Sequence, residues 1–246
     1  KEKINSLATI LRIGILYMIP MFLVAWEPDL STTMVFAFLF CTLMFVGGIS
    51  YKIIGAILGA ALPLGGILIW YIQQPGQILL HDYQLNRVLS FLNPSDYLLT
   101  TYNQQYNSIM AIGSGMLTGK GLDNNTITSV KGGNFISEPQ TDFIFAIIGE
   151  ELGFVGGCII IALLLLIVIQ CILVGIRSQD LAGRIICCGV GGLIGIQSFI
   201  NIGVATKILP NTGVPLPFVS YGLTSLVSLY IGIGLVLNVG LQPKKY

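Results

Sequence analysis

Charge is what this 246-residue chain has least of: 12 Lys and Arg, 11 Asp and Glu and one His, so that 9% of residues are charged and 54% are hydrophobic. A soluble domain of ordinary composition carries about a quarter charged residues, which excludes that class here. With a mean hydropathy of +0.85, the composition is that of an all-α, polytopic integral membrane bundle. The net charge of +1 and the lack of a basic cluster argue against a nucleic-acid partner, because phosphate backbones are bound by basic residues gathered on one surface. The single histidine, His81, has no Cys or His at ligand spacing, so no zinc motif is present. Cys41, Cys158, Cys171, Cys187 and Cys188 all fall in apolar runs, where cysteine behaves as a small buried hydrophobe. The opening KEKINS has no initiator Met and no signal pattern, and reads as the start of a fragment within a loop.

What the chain does have is apolar runs long enough to cross a hydrocarbon core of ~30 Å. Six are expected, at 7–25, 31–49, 53–72, 142–175, 184–207 and 218–240, the fourth long enough to tilt or to extend beyond the bilayer. Residues 73–140 are more polar and hold the turn signals QQPGQ and NPSD and the glycine-rich GSGMLTGKG, so they are expected to form one large loop of short helices and irregular chain. Within it, HDYQLNRVLSFLNP (81–94) has the pattern of an amphipathic interfacial helix. Cytoplasmic loops are enriched in Lys and Arg. Lys1, Lys3, Arg12, Lys52, Arg177, Arg184, Lys244 and Lys245 fall on one side, and Arg87, Lys120, Lys131 and Lys207 on the other. Both chain ends are therefore expected inside, and 73–140 outside. This orientation leaves nine of the eleven acids facing or nearer the outside, all but Glu2 and Asp180.

Acids cluster where the chain is most apolar. SEPQTDFIFAIIGEELGFVGG (137–157) holds Asp142, Glu150 and Glu151. If the helix starts at Asp142, Glu150 lies about 80° round the axis and ~12 Å deeper, with Glu151 near the opposite side. Asp142 is then either a helix cap after Thr141 or a reactive carboxylate at the membrane edge. Glu150 and Glu151 are intramembrane acids that need partners and are functional candidates by default. In WEPDLSTT (26–33), Asp29, Ser31 or Thr32 could cap the following span. TKILPNTGVPLPFVSYG (206–222) packs three prolines and two glycines where a span enters the membrane, a backbone tolerated only inside protein or along a cavity. Its Ser220 and Tyr221 offer hydroxyls to such a wall.

WEPDLSTT, HDYQLNRVLSFLNP, AIGSGMLTGKGL, TDFIFAIIGEELGFVGG, FINIGV and ILPNTGVPLPFVSYG occur in this order. Together they resemble the SEDS family (shape, elongation, division and sporulation) of bacterial membrane proteins, and its RodA branch more than its FtsW branch. The resemblance covers almost the whole chain. It implies the carboxyl-terminal part of a protein that usually has ten spans, lacking about four amino-terminal ones. It implies a multi-pass protein of the bacterial cytoplasmic membrane, a peptidoglycan glycosyltransferase that polymerises lipid II at the outer face, with Asp142 at the position of the family's essential acid. A class B penicillin-binding transpeptidase is the partner it implies. Chain growth requires a sugar hydroxyl to displace a diphosphate, so Asp142 is expected to accept the hydroxyl proton. Arg87 and Lys120, together with Glu138, Ser220 and Tyr221, are the expected substrate-binding residues, the two cations offsetting charge on the departing diphosphate. A divalent cation such as Mg2+ or Mn2+ held by outer carboxylates is the alternative source of that charge.

Five departures accompany the match. Gln140 stands where the family commonly has His, the Pro that precedes Glu138 in the family has moved to Pro139, SYGLTS replaces SYGGSS, GSGM replaces GSGG, and EPDLST replaces QPDLGT. The competing readings are a lipid II flippase, which needs a polar path through the bundle, and a non-catalytic scaffold. The outward bias of the acids favours polymerisation. Cysteines introduced singly as Gln104→Cys and Gln179→Cys should label from opposite sides with a membrane-impermeant reagent; outside labelling of the second would overturn the orientation.

Overall fold

The computed structural model describes residues 5–27, 29–74, 77, 82–97, 102–122, 129, 135–136 and 139–242. The chain forms α1 (Leu7–Trp26), α2 (Leu30–Gly47), α3 (Tyr51–Ile72), α4 (Asp82–Leu92), a 3-10 turn (Pro94–Tyr97), α5 (Asn103–Ser114), α6 (Ile144–Arg177), α7 (Leu181–Ala205) and α8 (Leu223–Leu241). Among the described residues α1, α6, α7 and α8 are long and apolar enough to cross a membrane, and shorter apolar stretches lie in α2 and α3. The fold is thus a polytopic helical membrane bundle.

Local chemistry sets the helix starts. Asp29 caps α2, its Oδ1 accepting from the Thr32 amide at 3.0 Å and its Oδ2 from the Thr32 hydroxyl at 2.6 Å. Asp180 caps α7 through the Gly183 amide at 3.1 Å. Each supplies an acceptor to amides that a helix leaves unpaired at its first turn. The chain turns at residues 217–219, with Phe218 at φ +63°, so α8 begins at Leu223 and not at 218.

At the centre stands α7, packed on α6, α2 and α8, with α1 covering α2 and α5 covering α6. Glycine lets these helices approach. A Cβ on Gly191 would lie 3.0 Å from the Cys171 Cβ, and one on Gly192 would lie 3.1 Å from the Thr42 methyl. Close approach through small residues is how membrane helices gain packing when lipid is as apolar as their side chains.

The long apolar run over α6 is not one rod. Gly153 has φ 66° and ψ −166°, joining a short arm (144–152) to a long arm (154–177). The 24 residues of the long arm, about 36 Å of helix, suffice alone for a span. Phe145 Cζ lies 3.4 Å from where a Cβ of Gly157 would sit, and Phe145 and Ile148 share a core cluster with Leu164. In a continuous helix residues 145 and 157 would be about 18 Å apart. The short arm therefore folds back along the first turns of the long one. This corrects the expectation that Glu150 lies beyond Asp142 along a single helix from residue 142: measured along the long arm the order is reversed, with Glu150 at the bend.

Such a bend strands backbone groups, and the glycine-rich loop after α5 supplies their partners. The Phe154 and Val155 amides donate to Met116 O at 2.9 Å and Leu117 O at 3.2 Å. Glu150 O and Glu151 O accept from the Lys120 and Gly121 amides at 2.9 and 3.0 Å. Four groups freed by one break are paired by one loop, as a water-poor environment demands. The fit leaves no room for a side chain at Gly119 (φ +79°), whose Cβ would collide with the Glu151 carbonyl, whereas one on Gly121 (φ +93°) meets nothing within 4 Å. Both positions disfavour alanine by roughly 1–2 kcal/mol through left-handed backbone alone. Gly119→Ala should therefore lower thermal stability in detergent well beyond Gly121→Ala, by roughly 1–3 kcal/mol more; equal losses would show that the loop does not clasp the bend.

Candidate functional site

The 206–222 segment is irregular chain, gripped by four helices and by the turn before α6. Asn201, on the last turns of α7, donates from Nδ2 to Val214 O and to Asp142 O, both at 2.8 Å. Ser220 Oγ donates to Thr141 O at 2.5 Å and accepts from the Leu216 amide at 2.7 Å. The Tyr221 amide donates to Gln140 O at 3.0 Å. From α2, the Ser31 hydroxyl bonds to Thr212 O, and from α4, Arg87 Nη1 reaches the same carbonyl at 3.4 Å. Gln105 of α5 donates to Val204 O at 3.0 Å and Leu209 O at 2.6 Å. A segment that pairs little of its own backbone is thereby held by side chains from four helices.

At the centre of these contacts lies Asp142, half-buried, in the turn before α6. It is not the cap expected as one alternative: Phe143 is the N-cap residue, with no side-chain capping bond. Gly213 (φ +73°) faces the carboxylate, and a Cβ there would sit 3.1 Å from Asp142 Oδ2. Asp142, Arg87, Ser220 and the backbone beside Tyr221 are thus brought together around one loop. Their roles differ. Ser220 is 5% exposed and its hydroxyl is spent on backbone, so it seats the loop. The Tyr221 side chain is 80% exposed. Arg87 is half-buried, its guanidinium 5.6 Å from the centre of the Tyr83 ring, a stacking geometry suited to a cation.

Lys120 belongs to a second cluster. Its Nζ lies 2.7 Å from Glu150 Oε1, the lysine side chain 27% and the glutamate 4% exposed. The pair borders a 390 Å³ pocket with Tyr106, Asn107, Ser114 and Phe135. Glu150, expected as an intramembrane acid, is thus neutralised at the bend by the loop that clasps it. Glu151 takes part in that clasp through its carbonyl, and Asp29 is the α2 cap. Glu138 lies outside the described residues. Among the described residues no group of three or more His, Cys, Asp and Glu gathers at metal-ligand distances. Reading the sequence missed Asn201 and Gln105, two buried amides that each make two of these hydrogen bonds; the signal was a buried polar residue, which ordinarily needs a partner.

Comparison with known proteins fits this architecture. The family model described as "Cell cycle protein", for FtsW, RodA and SpoVE, matches residues 1–245. The peptidoglycan glycosyltransferase MrdB of Escherichia coli K12 is 36% identical over 94% of this chain and 60% of its own length. Stage V sporulation protein E of Bacillus subtilis is 36% identical over 87% of this chain and 55% of its own. The probable peptidoglycan glycosyltransferase FtsW of Lactococcus lactis is 35% identical over 89% and 52%. This chain therefore spans between half and two thirds of the length of these curated relatives. A solved structure described as "Structural coordination of polymerization and crosslinking by a peptidoglycan synthase complex" superposes with a TM-score of 0.74 at 25% identity, over 96% of this chain and 62% of that one. The crystal structure of Thermus thermophilus RodA superposes at 0.57 and 24% identity, over 94% and 57%, and speaks for the fold. By sequence motif, family model and fold, the chain belongs to the FtsW/RodA/SpoVE family of bacterial membrane proteins.

Proposed function

We propose that the protein containing this chain is a peptidoglycan glycosyltransferase that polymerises lipid II at the outer face of the bacterial cytoplasmic membrane, with Asp142 as the general base. The observation that carries this reading is a carboxylate fixed by its own backbone beside an irregular, glycine-bearing wall, in a family of which the MrdB and FtsW relatives bear that activity in their names. In the proposed step, an acceptor sugar hydroxyl is hydrogen-bonded to the Asp142 carboxylate. Its oxygen forms a bond to the anomeric carbon of the donor while the bond from that carbon to the diphosphate breaks. The proton passes to Asp142 and the electron pair leaves with the lipid diphosphate. Arg87, one residue along the wall from Gly213 through its bond to Thr212 O, is the cation for the departing charge.

Lys120, already paired with Glu150, contributes less of its charge to that step than Arg87 does. Should a divalent cation such as Mg2+ or Mn2+ take part, Asp142 would be its carboxylate ligand alongside phosphate oxygens of the substrate, the manner in which Mg2+ binds where protein ligands are few. The protein is multi-pass, with 73–140 outside and its substrate arriving laterally through membrane lipid. A class B penicillin-binding transpeptidase is its partner, a reading supported by the solved complex that couples polymerization to crosslinking.

The test is polymer yield and length from labelled lipid II with purified full-length protein. Asp142→Asn keeps size and backbone bonding but cannot accept the proton, and should lower polymerisation at least ~10²-fold with thermal stability nearly unchanged. Polymer from the variant near the wild-type level would remove Asp142 from the mechanism. Movement of lipid II across vesicles with no polymer from either protein would favour the flippase.

A further inference from the structure

Asn201 is 1% exposed on α7, surrounded by the apolar cluster that includes Val204, Ile200, Phe143 and Val214. An amide in such a place would be replaced at no loss to packing by an apolar residue of its size, unless its hydrogen bonds do something packing cannot. Both Nδ2 protons are used, each at 2.8 Å, and both acceptors border the same carboxylate. One is the carbonyl of Asp142 itself. The other belongs to Val214, whose neighbour Gly213 lies against Asp142 Oδ2. The Ala146 amide meanwhile turns to Phe143 O at 2.9 Å, a 3-10 bond that leaves the Asp142 carbonyl to α7. Among the described residues Asn201 Oδ1 accepts no hydrogen bond although it is buried. The side chain thus tolerates an unpaired acceptor while directing both its donors at the seat of the carboxylate. Buried polar atoms left in that state call for a reason other than stability.

We infer that Asn201 is a positioning residue for Asp142: a single rigid amide that sets the spacing between the carboxylate and the Gly213–Val214 wall. The inference rests on the reading of Asp142 as general base. Asn201 touches no substrate in this account. It fixes the two backbone segments between which the acceptor hydroxyl and the carboxylate must align, and a displacement of about 1 Å in such a geometry costs up to 100-fold in rate.

The experiment uses full-length protein and labelled lipid II, comparing wild type, Asn201→Leu, Asn201→Ser, Asp142→Asn and the double variant Asp142→Asn/Asn201→Leu. Leu keeps the volume without the donors; Ser is small enough to be accommodated should Leu fail to fold, and cannot span both carbonyls. Either Asn201 variant should lower kcat about 10-fold to 100-fold with KM for lipid II changed less than about 3-fold. The residual rate of Asp142→Asn should not fall further when Asn201→Leu is added, because a residue that acts only through Asp142 has nothing left to position. A kcat within 2-fold of wild type in the folded variants would overturn the inference and leave the general base standing. Equal fractional losses in the wild-type and Asp142→Asn backgrounds would overturn it too, assigning Asn201 a structural role alone. Failure of the underlying reading looks different: wild-type protein makes no polymer, or Asp142→Asn makes it normally.

Discussion

Every backbone group in a lipid-surrounded bundle must find a partner inside the protein, and this structure is arranged around two places where helices cannot provide one. The first is the break at Gly153, where the Glu150 and Glu151 carbonyls and the Phe154 and Val155 amides lose their helical partners and are paired by residues 116–121. The second is the 206–222 segment, rich in proline and glycine, whose carbonyls are met by Asn201, Ser31, Arg87 and Gln105 and whose Leu216 amide is met by Ser220. Irregular chain survives at such sites only where neighbouring elements enclose it. Backbone φ values unusual for residues with a Cβ fall in the same two loops, at Met116, Lys207 and Phe218, which fits the tendency of strained backbone to gather where structure over-determines it.

The two places are mechanically linked through the short arm of α6. Its far end is clasped by the glycine loop and by Lys120–Glu150; its near end carries Asp142 and is held by Asn201 and Ser220. Because the arm folds back, Asp142 is drawn alongside α7, one turn from its end, and is not left on an exposed helix tip. A carboxylate in that position has walls on two sides and one irregular segment over it. In the proposed step that combination would give the reacting groups defined positions, which is where most of the advantage of an enclosed site lies.

Much of this was legible in the residues. Composition and six apolar runs fixed the fold class, and the order of motifs identified the family. Of the three residues that could cap the second span, Asp29 does so. The fold-back at Gly153 was not legible, because hydropathy is blind to backbone direction and a 34-residue apolar run scores as one helix. Nor was the partner of Glu150: the ion pair joins residues 30 apart, through a glycine-rich loop that reads as irregular chain and whose Gly119 provides close approach. For the site, single residues could be nominated, yet their grouping depended on pairings across 59 to 181 positions in sequence. Arg87 and Ser220 met Asp142's loop, whereas Lys120 went to a different cluster.

The central claim is that this geometry serves bond formation on one side of the membrane and not passage across it. It is tested most directly in vesicles holding the full-length protein in a single orientation, with labelled lipid II supplied only to the leaflet that the 206–222 segment faces. The account predicts glycan polymer from that leaflet without prior movement of lipid II. Polymer that forms only when lipid II is supplied to the opposite leaflet, or lipid II crossing the bilayer with no polymer at all, would contradict it.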